Sequence, residues 1–193
     1  TAPQLLIATH LTTVIERFCE AYPEVDLHIR ATNDLLDLDR READLAIRIS
    51  SSPGGNLTGL RLCAQSSASF ANEELAAKMR AQPDAPVDWI VYSATKDGPL
   101  STLYSGENAR IKMRFDDMVA MVGAAQAGLG VVRMPMFLGR ASAGLVQVPA
   151  MAVQPYADIW VVAHPDVWRS AKVTAFRKVL VAYFRENRGA FVG

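Results

Sequence analysis

The feature that most constrains this chain is a change of hydrophobic period, repeated along its length. Apolar residues recur at helical spacing in Ile7, Leu11, Val14, Phe18 and Tyr22, and Pro23 ends the run. Val25, Leu27 and Ile29 then alternate with Asp26, His28 and Arg30. A period of 3.6 residues giving way to a period of two predicts a helix followed by a half-exposed strand. The pattern recurs. A short helical stretch around Leu35, Leu36 and Leu38 precedes an apolar strand over residues 45–49, and Pro53, Gly54 and Gly55 mark a turn. Strands alternating with helices argue for an α/β fold with a parallel sheet and covering helices.

The middle of the chain reads as a second lobe. Residues 59–70 are strand-like and lead into a helix over 72–80, and Pro83 and Pro86 mark a linker. Residues 89–93 form a short strand, 94–109 a loop rich in Gly, Ser, Thr and Asn, and 111–115 a further strand. Asp116 and Asp117 are placed to supply the N-cap and first-turn acid of a helix with Met118, Met121, Val122 and Ala125 on its apolar face. Gly128 suits a left-handed C-cap, and residues 131–134 form a buried strand closed by Pro135. A short helix and a strand over 145–148 follow. The chain then returns to its opening pattern, with an apolar strand over 159–163 and an amphipathic helix over 170–187 carrying Val173, Phe176, Leu180 and Tyr183.

Composition narrows the function. The chain has 193 residues and 20 basic side chains balanced by 20 acidic ones. A free-standing nucleic-acid binder carries a basic excess or stripe, and neither is present, so the chain itself is not expected to grip DNA. No apolar run reaches membrane-spanning length. Cys19 and Cys63 form no CxxC pair or zinc spacing and read as two small buried hydrophobes, with a disulfide as the lesser alternative. Together these features point to a cytoplasmic protein. No GxGxxG, P-loop lysine, HExxH or GxSxG motif occurs, and His10, His28 and His164 lie far apart, so no enzyme activity, cofactor or metal is expected.

Ligands of open α/β sheets bind at the carboxyl ends of strands, beside helix N-termini. Three segments hold such positions: Thr1, Ala2, Pro3 and Gln4 before the first helix, Thr32 and Asn33 after the strand ending near Arg30, and Arg48 with Ile49 at the end of the next strand. Backbone N–H groups in the stretches 3–5 and 33–35 would favour an acceptor such as a carboxylate. The plain alternatives are helix capping by Thr1 and Thr32, and a structural ion pair for Arg48.

Four stretches, in order, resemble the effector-binding domains of LysR-type transcriptional regulators. Phe18 followed by Tyr22-Pro23 and Val25 resembles the family's first helix-to-strand element. Asp44-Leu45-Ala46-Ile47-Arg48 resembles its next strand, Ala127-Gly128-Leu129-Gly130-Val131 with Pro135 its second-lobe turn, and the stretch from Lys172 through Phe176 to Phe184 its last helix. The resemblance implies two Rossmann-like lobes of the type 2 periplasmic-binding-protein kind, joined by two crossover strands near 68–70 and 158–160. Lobe I would comprise 1–68 and 160–193, and lobe II 69–159. The implied effector-binding residues on lobe II are Tyr92, Ser93, Asp116, Asp117, Arg133 and Met134. The family usually has an aliphatic residue where Arg133 stands, which leaves the role of Arg133 open.

The function implied is that of a ligand-sensing domain that binds a small polar organic acid or zwitterion in the inter-lobe cleft and forms homo-oligomers, a dimer or, in the full-length regulator, a tetramer. Operator DNA would be met only through a winged helix-turn-helix domain ahead of residue 1. The chain does not open with Met, as expected of a fragment or processed product. In the family a strand leads into the turn represented here by Thr1-Ala2-Pro3, so that strand is expected to lie ahead of the chain too. A periplasmic solute-binding protein of the same fold is the alternative reading, and an α/β enzyme is a third.

Overall fold

The structure is a computed structural model that describes residues 1–32, 42–52, 56–93 and 109–193. Its contacts divide the chain into two compact units, Thr1–Ser66 with Pro155–Gly193, and Ser67–Gln154.

The first unit opens with one continuous helical run, α1, made of an α-helical turn (Gln4–Leu6), a π-helical segment (Ile7–Leu11) and a regular α-helix (Thr12–Ala21). Thr9 Oγ1 donates back to Leu5 O at 2.6 Å, a local bond that competes with the regular ladder where the helix is wide. Strand β1 (Ala46–Ser50) pairs antiparallel with the later half of β7 (Gln154–Ala163), with Ala46 opposite Val162. The N-terminal part of β2 (Thr58–Asn72) lies on the other side of β7.

Two further helices, α5 (Pro165–Trp168) and α6 (Ala171–Glu186), follow β7. Ser170 caps α6 by accepting from Val173 N. The apolar faces of α1 and α6 meet in aromatic contacts: the Phe18 ring lies 5.1 Å from that of Phe176 in an edge-to-face arrangement. Leu6, Phe18, Ile159, Leu180, Phe184 and Phe191 fill this core.

The second unit takes in the rest of β2, then α2 (Glu73–Ala81), β3 (Val87–Tyr92), β4 (Ala109–Phe115), α3 (Met118–Gln126), β5 (Val131–Pro135), α4 (Met136–Ala141) and β6 (Leu145–Val148). β3 is parallel to both β4 and β5, whereas β2 runs antiparallel to β5 and β6. The seven strands therefore form a mixed sheet, not the parallel one expected from strand–helix alternation. The antiparallel pairs all involve β2 or β7, the two strands along which the chain passes between the units. These passages set strand direction by chain connectivity, which hydrophobic period does not encode.

Asn72 and Asp117 cap α2 and α3 from their side chains, accepting from Leu75 N and Ala120 N. Gly128 has φ +74°, the left-handed conformation expected of it after α3. Gly130 is required for space: a Cβ there would lie 2.7 Å from Asp88 O on β3. The core packs Trp89, Val91, Val131 and Val148 with Ala71 and Ala76.

Several expectations need correction. Residues 25–30 belong to no strand; among the described residues, Ala31 beside them makes an isolated parallel bridge with Ala2. β7 is twice as long as read, because its opening, Gln154-Pro155-Tyr156-Ala157-Asp158, lacks an apolar signature. Cys63 is buried, but Cys19 is exposed, and both are free thiols. Asp117 is the cap and Asp116 precedes it, so neither is a first-turn acid. The helix expected around Leu35–Leu38 lies outside the described residues, as does the loop expected over 94–109 except for its last residue, Ala109, which opens β4.

Candidate functional site

In the first unit, the opening residues lie between two extended segments. Ala2 N donates to Arg30 O and Thr32 N to Ala2 O, both at 3.1 Å, while Ile47 N donates to Thr1 O at 2.9 Å. Thr1 N donates to Leu45 O at 2.8 Å, and Thr1 Oγ1 to Arg30 O at 3.0 Å. Thr1, Ala2 and Thr32 are thus brought together by backbone pairing. Gln4 joins them through a 3.5 Å bond from Nε2 to Ala31 O. Pro3 is the N-cap of α1, and the first helical bond runs from Ile7 N to Pro3 O. The amides of Gln4, Leu5 and Leu6 therefore stand ahead of the helical ladder, and Pro3 has no N–H to contribute.

Alongside this junction runs a groove of about 380 Å³ with an apolar floor that includes Ile7, Leu11, Ile15, Leu27 and Ile47. Thr1, Arg30 and Asp44 also line it. Arg48 and Ile49 lie further along β1, half-buried, opposite Trp160 and Ile159. Asn33 falls outside the described residues.

In the second unit, the remaining candidates collect where parallel strands end. Tyr92 is in register with Phe115, and Ser93 N donates to Phe115 O at 2.6 Å, which sets Ser93 beside the start of Asp116-Asp117. Asp117 Oδ1 is committed to the cap of α3 at 2.8 Å, while Asp116 is exposed. Arg133 and Met134 are on β5, the strand on the other side of β3. Met134 is fully buried in the core. Arg133 is half-buried and reaches Ser67 on β2, with Nη2 and Nε at 2.9 and 3.1 Å from the hydroxyl. Sequence reasoning passed over Ser67. The signal was a polar run, Gln65-Ser66-Ser67, between the apolar stretches Leu62-Cys63-Ala64 and Ala68, with Gln65 and Ser67 both buried.

Among the described residues, no group of His, Cys, Asp and Glu is arranged to hold a metal ion, and no helix is long and apolar enough to cross a membrane.

Residues 1–185 match the family model described as the LysR substrate binding domain. The chain belongs to the LysR substrate binding domain family. Solved structures agree on the fold. The effector domain of the transcriptional regulator AmpR of Pseudomonas aeruginosa superposes with a TM-score of 0.78 at 22% identity, covering 97% of this chain and 96% of that one. The regulatory domain of CrgA, a LysR-type transcriptional regulator from Neisseria meningitidis, gives 0.75 at 18% identity, covering 94% and 95%.

A curated relative, an HTH-type transcriptional regulator of Xanthomonas campestris pv. campestris (strain 8004), is 37% identical over 62 residues, 32% of this chain. The chain spans 18% of that relative's length in this match. The mixed α/β fold is accordingly that of the LysR effector domains, of the type 2 periplasmic-binding-protein kind.

Proposed function

We propose that this LysR-family domain is the ligand-sensing part of a bacterial transcription regulator and acts by binding a small organic effector without chemical turnover. The family match over residues 1–185 carries this reading, and it also favours a regulator over a periplasmic solute-binding protein. The full-length protein would work in the cytoplasm as a homo-oligomer and meet operator DNA through a separate N-terminal winged helix-turn-helix domain. An effector that prefers one conformation of the domain shifts its population toward that conformation, and this shift is what the DNA-binding part would read.

The effector-binding groups proposed are Thr1, Ala2, Pro3, Gln4, Thr32, Asn33, Arg48 and Ile49 from the first unit. From the second they are Tyr92, Ser93, Asp116, Asp117 and Arg133, with Met134, whose side chain is buried, as the strand position beside Arg133. Helix-start amides at 4–6 and a guanidinium at Arg48 favour an acceptor such as a carboxylate. The exposed Asp116 disfavours a second negative charge. The effector class is therefore a monoanion, an amino-acid-like zwitterion or a hydroxylated aromatic acid, in preference to a dicarboxylate.

A thermal-shift screen across these classes tests the reading, because a ligand selective for the folded state raises its melting temperature. Asn33→Ala and Arg48→Ala should each reduce the shift from any hit while leaving the unliganded domain folded. Hits that bind both variants normally, or a response confined to dicarboxylates, would show the site assignment to be wrong. Sedimentation should give a dimer, and a monomer at tens of micromolar would count against the oligomeric part.

A further inference from the structure

Arg133 has an unusual set of partners for one side chain on a central strand. Its Nε and Nη2 reach Ser67 Oγ at 3.1 and 2.9 Å, and Nη2 lies 3.5 Å from Ser67 O. Its Nη1 turns the other way, to Ala152 O at 3.3 Å and Met151 Sδ at 3.8 Å. Ser67 is the first residue of the second unit, and Ala152 lies just before its last, Gln154. One guanidinium therefore holds both points at which the chain passes into this unit, on β2 and immediately ahead of β7. All four residues belong to the second unit, so the arrangement is internal to it.

The same two strands are tied again within the first unit. Arg61 on β2 forms a two-bond ion pair with Asp158 on β7, Nε to Oδ2 at 2.7 Å and Nη2 to Oδ1 at 2.9 Å. Gln65 Nε2, also on β2, donates to Ala157 O. Polar groups inside strands cost desolvation unless they are hydrogen-bonded, and here each has a partner that joins two stretches of chain. A planar fork that donates along several edges suits such a role, since a lysine ammonium is a single point.

We propose that Arg133 is a positioning residue that clamps the two passages of the chain together, so that β2 and β7 move as one ribbon when the domain changes conformation. The functional reading above supplies only the purpose of that movement, and the clamp can be tested with no ligand at all. The experiment is hydrogen exchange on this chain at neutral pH, comparing the parent with Arg133→Met, Arg133→Lys, Ser67→Ala and the Arg133→Met/Ser67→Ala pair.

Exchange should rise about tenfold in Arg133→Met for peptides covering 65–68 and 152–158, while peptides from α3 and α6 keep their rates. Lysine should fail to restore slow exchange, because it cannot serve Ser67 and Ala152 together. Ser67→Ala should also raise exchange in these peptides, and the double variant should be no faster than Arg133→Met alone. Unchanged rates in Arg133→Met, an equal rise throughout the chain, full rescue by lysine, or additive effects in the double variant would each overturn the clamp. A domain that passes this test and still binds no effector would leave the clamp standing and fail the functional reading alone.

Discussion

Gly139 offers the sharpest steric test of the second unit's packing. It lies inside α4, where exchanging glycine for alanine ordinarily stabilises a helix by about 1 kcal/mol. Here a Cβ would lie 2.5 Å from Phe70 Cδ2 and closer still to Cε2 and Cζ. Phe70 cannot swing aside, since it is 1% exposed and anchored on β2 opposite Val132 and Gln147. Overpacking a core in this way costs about 1–3 kcal/mol, and a clash with a fixed ring belongs at the upper end. Subtracting the helical gain leaves Gly139→Ala less stable by about 2 kcal/mol. For a chain of this size that corresponds to a fall in melting temperature of about 4–8 °C.

Urea unfolding should show the midpoint falling with the slope unchanged. Phe70→Leu should absorb much of the penalty, giving a coupling of at least about 1 kcal/mol in the double-mutant cycle. An alanine variant as stable as the parent would refute the reasoning, and so would a penalty of the same size in the leucine background.

Two further predictions concern titratable groups. His10 Nδ1 lies 2.8 Å from Tyr183 OH, its ring centroid is 4.7 Å from that of Phe191, and burial lowers its pKa below 6.5. The unfolded chain then binds a proton more readily than the folded one, so this contribution to stability is complete above pH 6.5 and is lost as pH falls from there toward the folded pKa. Urea midpoints from pH 8 to 5 should show this loss, and His10→Gln should flatten it; an unchanged slope in that variant would assign the loss to other groups. Burial, with Asp158 adding to it, pushes the Cys63 thiol up to about 12, whereas Cys19 is exposed. A thiol reagent at pH 8 should modify Cys19 promptly and Cys63 only on unfolding, and rapid labelling of both would show that β2 is more open than described.

Local chemistry made much of this molecule legible in its amino-acid order. The helical period of Ile7, Leu11, Val14 and Phe18 defined α1, and the same period in Val173, Phe176, Leu180 and Tyr183 defined α6. Gly128 and the Asp116-Asp117 pair marked the two ends of α3, because a left-handed cap and a side-chain N-cap are requirements of single residues. Such features depend on a few neighbours along the chain, which is why they can be read without coordinates.

Pairing and partnership were decided only in three dimensions. The direction of β2 and β7 follows from the chain passing twice between two units, so the sheet is mixed although the period suggested a parallel one. Residues 25–30 alternate like a strand, but a strand is defined by its ladder, and among the described residues the pairing beside them is a single bridge from Ala31 to Ala2. Arg133 is the clearest case: its place on β5 was visible in the sequence, but its hold on Ser67 and Ala152 was not. Those partners lie 66 and 19 residues away, and only the register of β2 against β5 brings the first within reach.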